Sequence, residues 1–177
     1  MTQMQAFIGL DQVDTTGAYE HLLGKEVQFE DRNLASSEAM KPLLSGMTIT
    51  ARFVKNDSGG TLAKNLAVAW KSGYVGTRVG GLCAVSPARP AGVVTPYAGA
   101  TIADGANFWV IVRGPCNVVS DGSATIAITD QITPAGSGKI KKVASGTAAT
   151  LPGLFGETME AVTNVDGTVA RANVWIN

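Results

Sequence analysis

Few residues in this chain are equipped for bond chemistry. Among 177 residues there is one histidine, His21, and there are two cysteines, Cys83 and Cys116. A hydrolase needs an activated nucleophile, a base to take its proton and donors aimed at the developing oxyanion. Ser and Thr are abundant, but His21 stands in a weakly patterned N-terminal stretch and no Gly-x-Ser-x-Gly elbow occurs. Asp104, Asp121 and Asp166 each precede glycine, so turn formation accounts for them directly. Glu157 and Glu160 bracket two residues of an expected strand and need not converge on one site. The run Gly73-Tyr74-Val75-Gly76-Thr77-Arg78-Val79-Gly80 has glycines but no long helix after it, which a dinucleotide site requires. No EF-hand loop, His-Glu-x-x-His pair or Cys/His array occurs either. The expectation is a non-enzyme with no catalytic residue, no cofactor and no metal.

The cysteines fit no local redox or zinc spacing, and two buried thiols are the simpler reading beside one long-range disulfide. Lys and Arg against Asp and Glu give 5 − 8 = −3 for residues 1–60 and 9 − 6 = +3 for residues 61–177, so the net charge is zero. The densest basic cluster, Lys139, Lys141 and Lys142, reads as a solvated strand surface, and no direct nucleic-acid partner is expected. The first residues lack the positive flank and apolar run of a signal peptide, and no apolar stretch is long enough for a membrane helix. Synthesis in a cytoplasm, without a membrane partner, is therefore expected.

The elements that would position any site are short strands. The chain holds 21 glycines and 16% charged residues, with many Val, Ile and Thr, a composition of strands joined by tight turns. Val27 to Glu30 fits a short strand, and residues 34–44 permit one or two helical turns before Pro42 interferes. Ile49, Ala51 and Phe53 alternate with Thr48, Thr50 and Arg52. After the turn Asn56-Asp57-Ser58-Gly59-Gly60, a strand is expected over 65–71, a glycine-rich strand within 74–85, and an irregular connection over 87–97. Asn107 to Arg113 alternates most regularly, and Gly114-Pro115 is expected to turn the chain into a returning strand, Cys116 to Val119. Further strands are expected at 125–129, 139–143, 157–163 and 168–176, with Ile126 and Ile128 on one face. Ala170, Ala172, Val174 and Ile176 are expected to line the core. No repeat period supports a solenoid.

About eight strands predict a mainly β fold, a compact small β-barrel or β-sandwich with short hairpins and an N-terminal arm or extension. A soft boundary near residue 60 separates residues 1–60, an arm with accessory strands, from a β core over 61–177. The second faces of the aromatic strands carry Trp109, Ile111 and Arg113, and Val169, Arg171 and Trp175. These six, with Phe7, Ile8 and Leu10 of the arm, are the candidate protein-interface residues, because Trp and Arg recur at the centre of interfaces. Coverage by another segment of the same chain is the alternative for the aromatic faces.

The stretch Ala103-Asp104-Gly105-Ala106-Asn107-Phe108-Trp109-Val110-Ile111-Val112-Arg113-Gly114-Pro115, followed by Cys116-Asn117-Val118-Val119, resembles capsid decoration (cement) proteins of tailed bacteriophages. So do Ala127 to Pro134, Gly153 to Ala161 and the strand ending at Asn177, within a resemblance over about residues 60–177. The resemblance implies a virion structural protein on the capsid outer surface, a homo-oligomer there, with the major capsid protein as partner. Its action would be non-covalent, stabilising the assembled shell by bridging capsid subunits. The alternatives are a receptor- or carbohydrate-binding β module at the virion surface, or a minor head or tail connector.

Overall fold

Alternation of apolar and polar side chains builds one of the two longest strands, and a continuous apolar run builds the other. β2 (Leu43–Asn56) buries Ile49, Ala51 and Phe53 on one face and leaves Thr48, Thr50 and Arg52 partly or fully open on the other. β6 (Asn107–Val119) buries both faces of its first half, which neighbouring segments cover from two sides. The computed structural model describes residues 9–32, 43–84, 89–98, 101–143 and 155–176. The fold is mainly β, and the described residues contain only one helical piece, a 3-10 turn at Glu20–Leu22.

The other strands are β1 (Glu26–Arg32), β3 (Ala67–Trp70), β4 (Arg78–Leu82), β5 (Pro90–Val94), β7 (Gln131–Gly136), β8 (Lys139–Lys142), β9 (Gly156–Thr158) and β10 (Val169–Trp175). All belong to one sheet. β1, β2, β6 and β10 lie side by side as an antiparallel spine. Between β2 and β6 the chain leaves the spine through β3, β4 and β5, and β2-β4-β3-β5-β6 closes into a ring through the β2–β6 pairing. Between β6 and β10 it leaves again through β7, β8 and β9. The order β6-β10-β9-β7-β8 then returns to β6 through a parallel bridge between Ser120 and Ile140.

The two rings repeat one hydrogen-bond scheme, with most matching residues 64 positions apart. Leu62 and Ile102 exchange bonds of 2.9 and 2.7 Å, and Ile126 and Val162 exchange bonds of 2.9 and 2.8 Å. The Asn56 N–H donates to the Ala106 carbonyl at 2.8 Å while the Gly105 N–H donates back to Asn56 at 2.8 Å. Ser120 repeats both bonds with Thr168 at 2.8 Å and Gly167 at 3.0 Å. Asn65 (φ 66°) and Thr129 (φ 69°) take the same left-handed conformation three residues after Leu62 and Ile126. At Gly92 and Gly156 an added Cβ would run into the carbonyl oxygens of Ile111 and Asn173, so both rings need a bare backbone where the returning strand crosses.

Several expectations change. Gly114-Pro115 does not turn the chain: β6 runs straight through it. Gly114 has φ +100° and lies so close to β2 that a Cβ would strike the Thr48 carbonyl oxygen and approach Ile49 Cα to 3.1 Å. Ile176 donates to the Val112 carbonyl, which makes the even residues of β6 the ones bonded to β10. Pro115 therefore points its nitrogen away from β10 and costs that ladder no bond. Residues 90–94, expected to be irregular, form the buried strand β5, with Pro90 at its first position, where a missing N–H is tolerated. Ile126 forms one bridge, but Ile128 is 58% exposed because Thr129 turns left-handed next to it. β9 ends at Thr158, short of the expected 163. Most of the stretch expected to make helical turns lies outside the described residues, and its last two residues begin β2. Residue 60 falls in a turn of the first ring, and β2, on its N-terminal side, is a stave of that ring.

The first ring is filled by Phe108, Val110, Val112, Val54, Val68 and neighbours. A second cluster joins Ile49, Ala67, Val93 and Ile111 to Val118, Ile132, Ile140, Phe155 and the inward residues of β10. It therefore spans both rings. Ala170, Ala172 and Val174 are at most 1% exposed, as the alternation predicts, while Ile176 is half-buried at the rim.

Candidate interaction surface

The sequence places Trp109, Ile111 and Arg113 on one face of one strand, and the structure separates them. Trp109 is 2% exposed, stacked at 5.6 Å edge-on to Phe29 and at 5.0 Å to Phe53. Leu10, Tyr19, Leu22 and Val27 complete its cover, so this aromatic face is closed by the chain's own N-terminal segment. Its indole N–H is buried with no acceptor among the described residues, and Trp109 serves as apolar filling. Ile111 is fully buried. Both side chains are packed within the chain, the alternative that the sequence reading held for these faces. Leu10 is likewise 5% exposed and spent on this cluster.

The N-terminal segment is pinned by Asp14. Its carboxylate accepts from the backbone N–H groups of Thr16, Gly17 and Tyr19 at 2.9–3.0 Å, from the Thr16 hydroxyl at 2.8 Å and from Asn107 Nδ2 at 3.0 Å. Burial alone would raise its pKa, but these donors outweigh burial and hold the carboxyl well below the usual carboxylate range.

A β-bulge parts Arg113 from Ile111. Ala51 pairs with Ile111 and Thr50 with Arg113, so two steps along β6 oppose one along β2. Arg113 therefore shares the Thr50 face, opposite to the face of Ala51 and Ile111. The registers place Gln28, Thr50, Arg113 and Trp175 in one row across the four strands of the spine. Arg113 is exposed, Trp175 is half-buried, and Arg113 has no ion-pair partner among the described residues. Glu26, Gln28, Thr50, Val112, Arg113 and Ile176 line a groove of about 160 Å³ along this row. Beside it Glu26 is ion-paired to Arg52, whose guanidinium lies 5.5 Å from the centre of the Trp70 ring. This row is the candidate surface. Gln28 and Thr50 were not singled out by the sequence, because their place beside Arg113 depends on inter-strand register.

The other predicted interface residues divide. Val169 is 48% exposed at the start of β10, opposite Val119. Arg171 is engaged inside the molecule, ion-paired to the fully buried carboxylate of Asp31, which also accepts from Ser45 Oγ at 2.6 Å. That pair ties β10 to β1 and β2. Phe7 and Ile8 lie outside the described residues. A second groove, about 230 Å³, is lined by Leu10, Phe29, Glu30, Arg32 and Tyr97 with Gly9 and Asp11.

The groups with reactive potential are set apart from this row. Cys83 and Cys116 are free and buried, and loss of solvation pushes the Cys83 thiol up to about 12 and the Cys116 thiol higher, away from the thiolate form that reacts. His21 is exposed and meets the Tyr19 ring at 6.5 Å. Lys139 and Lys142 of the basic cluster are paired to Asp166 and Asp130 at 2.6 and 2.7 Å. Among the described residues no three of His, Cys, Asp and Glu are grouped to hold a metal ion.

No family model and no curated protein sequence matches the chain. Among solved structures, the head fiber gp8.5 N base of bacteriophage phi29 is similar at a TM-score of 0.49 and 13% identity, over 71% of this chain and 93% of that one.

Proposed function

We propose that this chain is a non-enzymatic virion structural protein that binds the outer surface of an assembled capsid as a homo-oligomer and bridges capsid subunits. The observation that supports this reading best is the row Gln28–Thr50–Arg113–Trp175. It sets an arginine with no ion-pair partner among the described residues directly opposite a tryptophan on an antiparallel face, and both residue types are enriched at the energetic centres of protein–protein contacts. The decoration-protein resemblance of residues 60–177 supplies the capsid as partner. Stabilisation would follow from selective binding to the assembled shell, multiplied by many copies on one particle.

Cosedimentation with purified native shells tests the reading. The wild-type chain is expected to pellet with assembled shells, and the Arg113→Glu and Trp175→Ala variants to bind roughly tenfold or more weakly while remaining folded. Electron microscopy of native particles is expected to show the protein outside the shell. Its absence from particles, or placement only on the tail axis, would overturn the reading.

A further inference from the structure

Closure of both rings leaves β1 as a sheet edge among the described residues. β1 is the terminal strand of the sheet, paired to β2 on one side and to no strand on the other among the described residues. The Phe53 N–H donates to the Lys25 carbonyl at 3.0 Å, and Lys25 stands opposite Phe53 in the β1–β2 register. By the alternation of antiparallel ladders, residues 27 and 29 also bond toward β2, whereas Glu26, Gln28 and Glu30 aim their backbone groups outward. Outward N–H and C=O groups on an edge strand are a template for another strand.

We propose that β1 is a self-association edge, pairing antiparallel with β1 of a second copy about a two-fold axis at Phe29. Charge selects this register. With Phe29 opposite Phe29 of the second copy, each Glu26, paired in its own chain to Arg52, faces an Arg32, paired in its own chain to Glu30, so that the two ion pairs join across the seam, and each Gln28 faces a Glu30. A shift of one step in one direction sets Glu26 against Glu30 twice, and in the other direction Glu30 against Glu30. Like charges directly opposite are unfavourable, and opposite charges favourable. The groove of Leu10 and Tyr97 is lined by Phe29, Glu30 and Arg32 of this strand. This pairing deepens the oligomeric part of the proposed function, yet it concerns the free chain and can fail while shell binding stands.

Sedimentation equilibrium of the full chain tests it. A concentration-dependent dimer is expected. Gln28→Pro removes one outward donor and blocks the edge while leaving the β1–β2 ladder intact, so its dimer should weaken roughly tenfold or more with unchanged circular dichroism. Glu26→Lys should also weaken the dimer, and adding Arg32→Glu should restore it, which keeps the test valid if the proline variant unfolds. A chain that stays monomeric throughout, association unaffected by Gln28→Pro in a folded protein, or failure of the double exchange to restore pairing would overturn the proposal. So would association lost only when residues 1–8 are deleted.

Discussion

At the residue scale, buried polar groups hold the N-terminal region to the rest of the molecule. Asp14 ties the turn at Thr16–Tyr19 to Asn107, and Asp31 with Arg171 joins residues 140 positions apart. Asp31 is fully buried and the Arg171 side chain is 21% exposed, so removing the guanidinium strands a carboxylate where water reaches only one rim. Arg171→Met is expected to destabilise the fold by about 3 kcal/mol. Arg171→Met with Asp31→Asn should recover much of that loss, because a neutral amide tolerates the site. Urea unfolding of both variants measures the difference, and equal losses would show that the charge is not stranded. None of this was legible from sequence. Arg171 alternates with core alanines and looks like an outward cation, and nothing near Asp31 announces a partner in the last strand.

At the element scale, β6 governs the architecture, and Gly114 governs β6. The strand serves the first ring with its first half and the second ring with its second half. Between them a bulge flips the exposed face, and Gly114 lets β2 pass at van der Waals distance. Gly114→Ala would put a side chain into a left-handed backbone, costing about 1–2 kcal/mol, and would add overlap with Thr48. A melting temperature lower by at least ~3 °C is expected. An unchanged melt would mean that the strand relaxes freely at this point. The strand at residues 107–113 was legible in sequence, though not the facing of Arg113, as were the strand at Thr48–Val54, the Asp-Gly turns and the inward set of β10. The continuity of β6 was not, because Gly-Pro is a turn signal wherever tertiary packing does not override it.

At the scale of the whole molecule, the two rings are similar in bonding but not independent. They share β6 and one core cluster. The turn of the β7–β8 hairpin is also bonded into the first ring, with Ala67 N–H donating to the Gly138 carbonyl at 2.7 Å and Gly138 N–H to the Cys83 carbonyl at 3.0 Å. Unfolding is therefore expected to be a single transition. Amide exchange at Leu62 and Ile102 reports the first ring, and amide exchange at Ile126 and Val162 reports the second. Equal opening free energies are expected, and an earlier opening of the second ring would show separate units.

The sequence by itself determined the mainly β class and most strand positions. These depend on composition and on a two-residue period, which are local properties of the chain. Tertiary structure alone decided the rest. It doubled one ring scheme 64 residues apart, where the shared feature is backbone hydrogen bonding and only short stretches such as Thr61-Leu62-Ala63 and Thr125-Ile126-Ala127 match in type. It spent Trp109 and Arg171 inside the molecule, left Arg113 exposed and left Trp175 half-buried. Which side chains meet across strands is fixed by register and bulges, and one bulge moved Arg113 from a buried face to the surface.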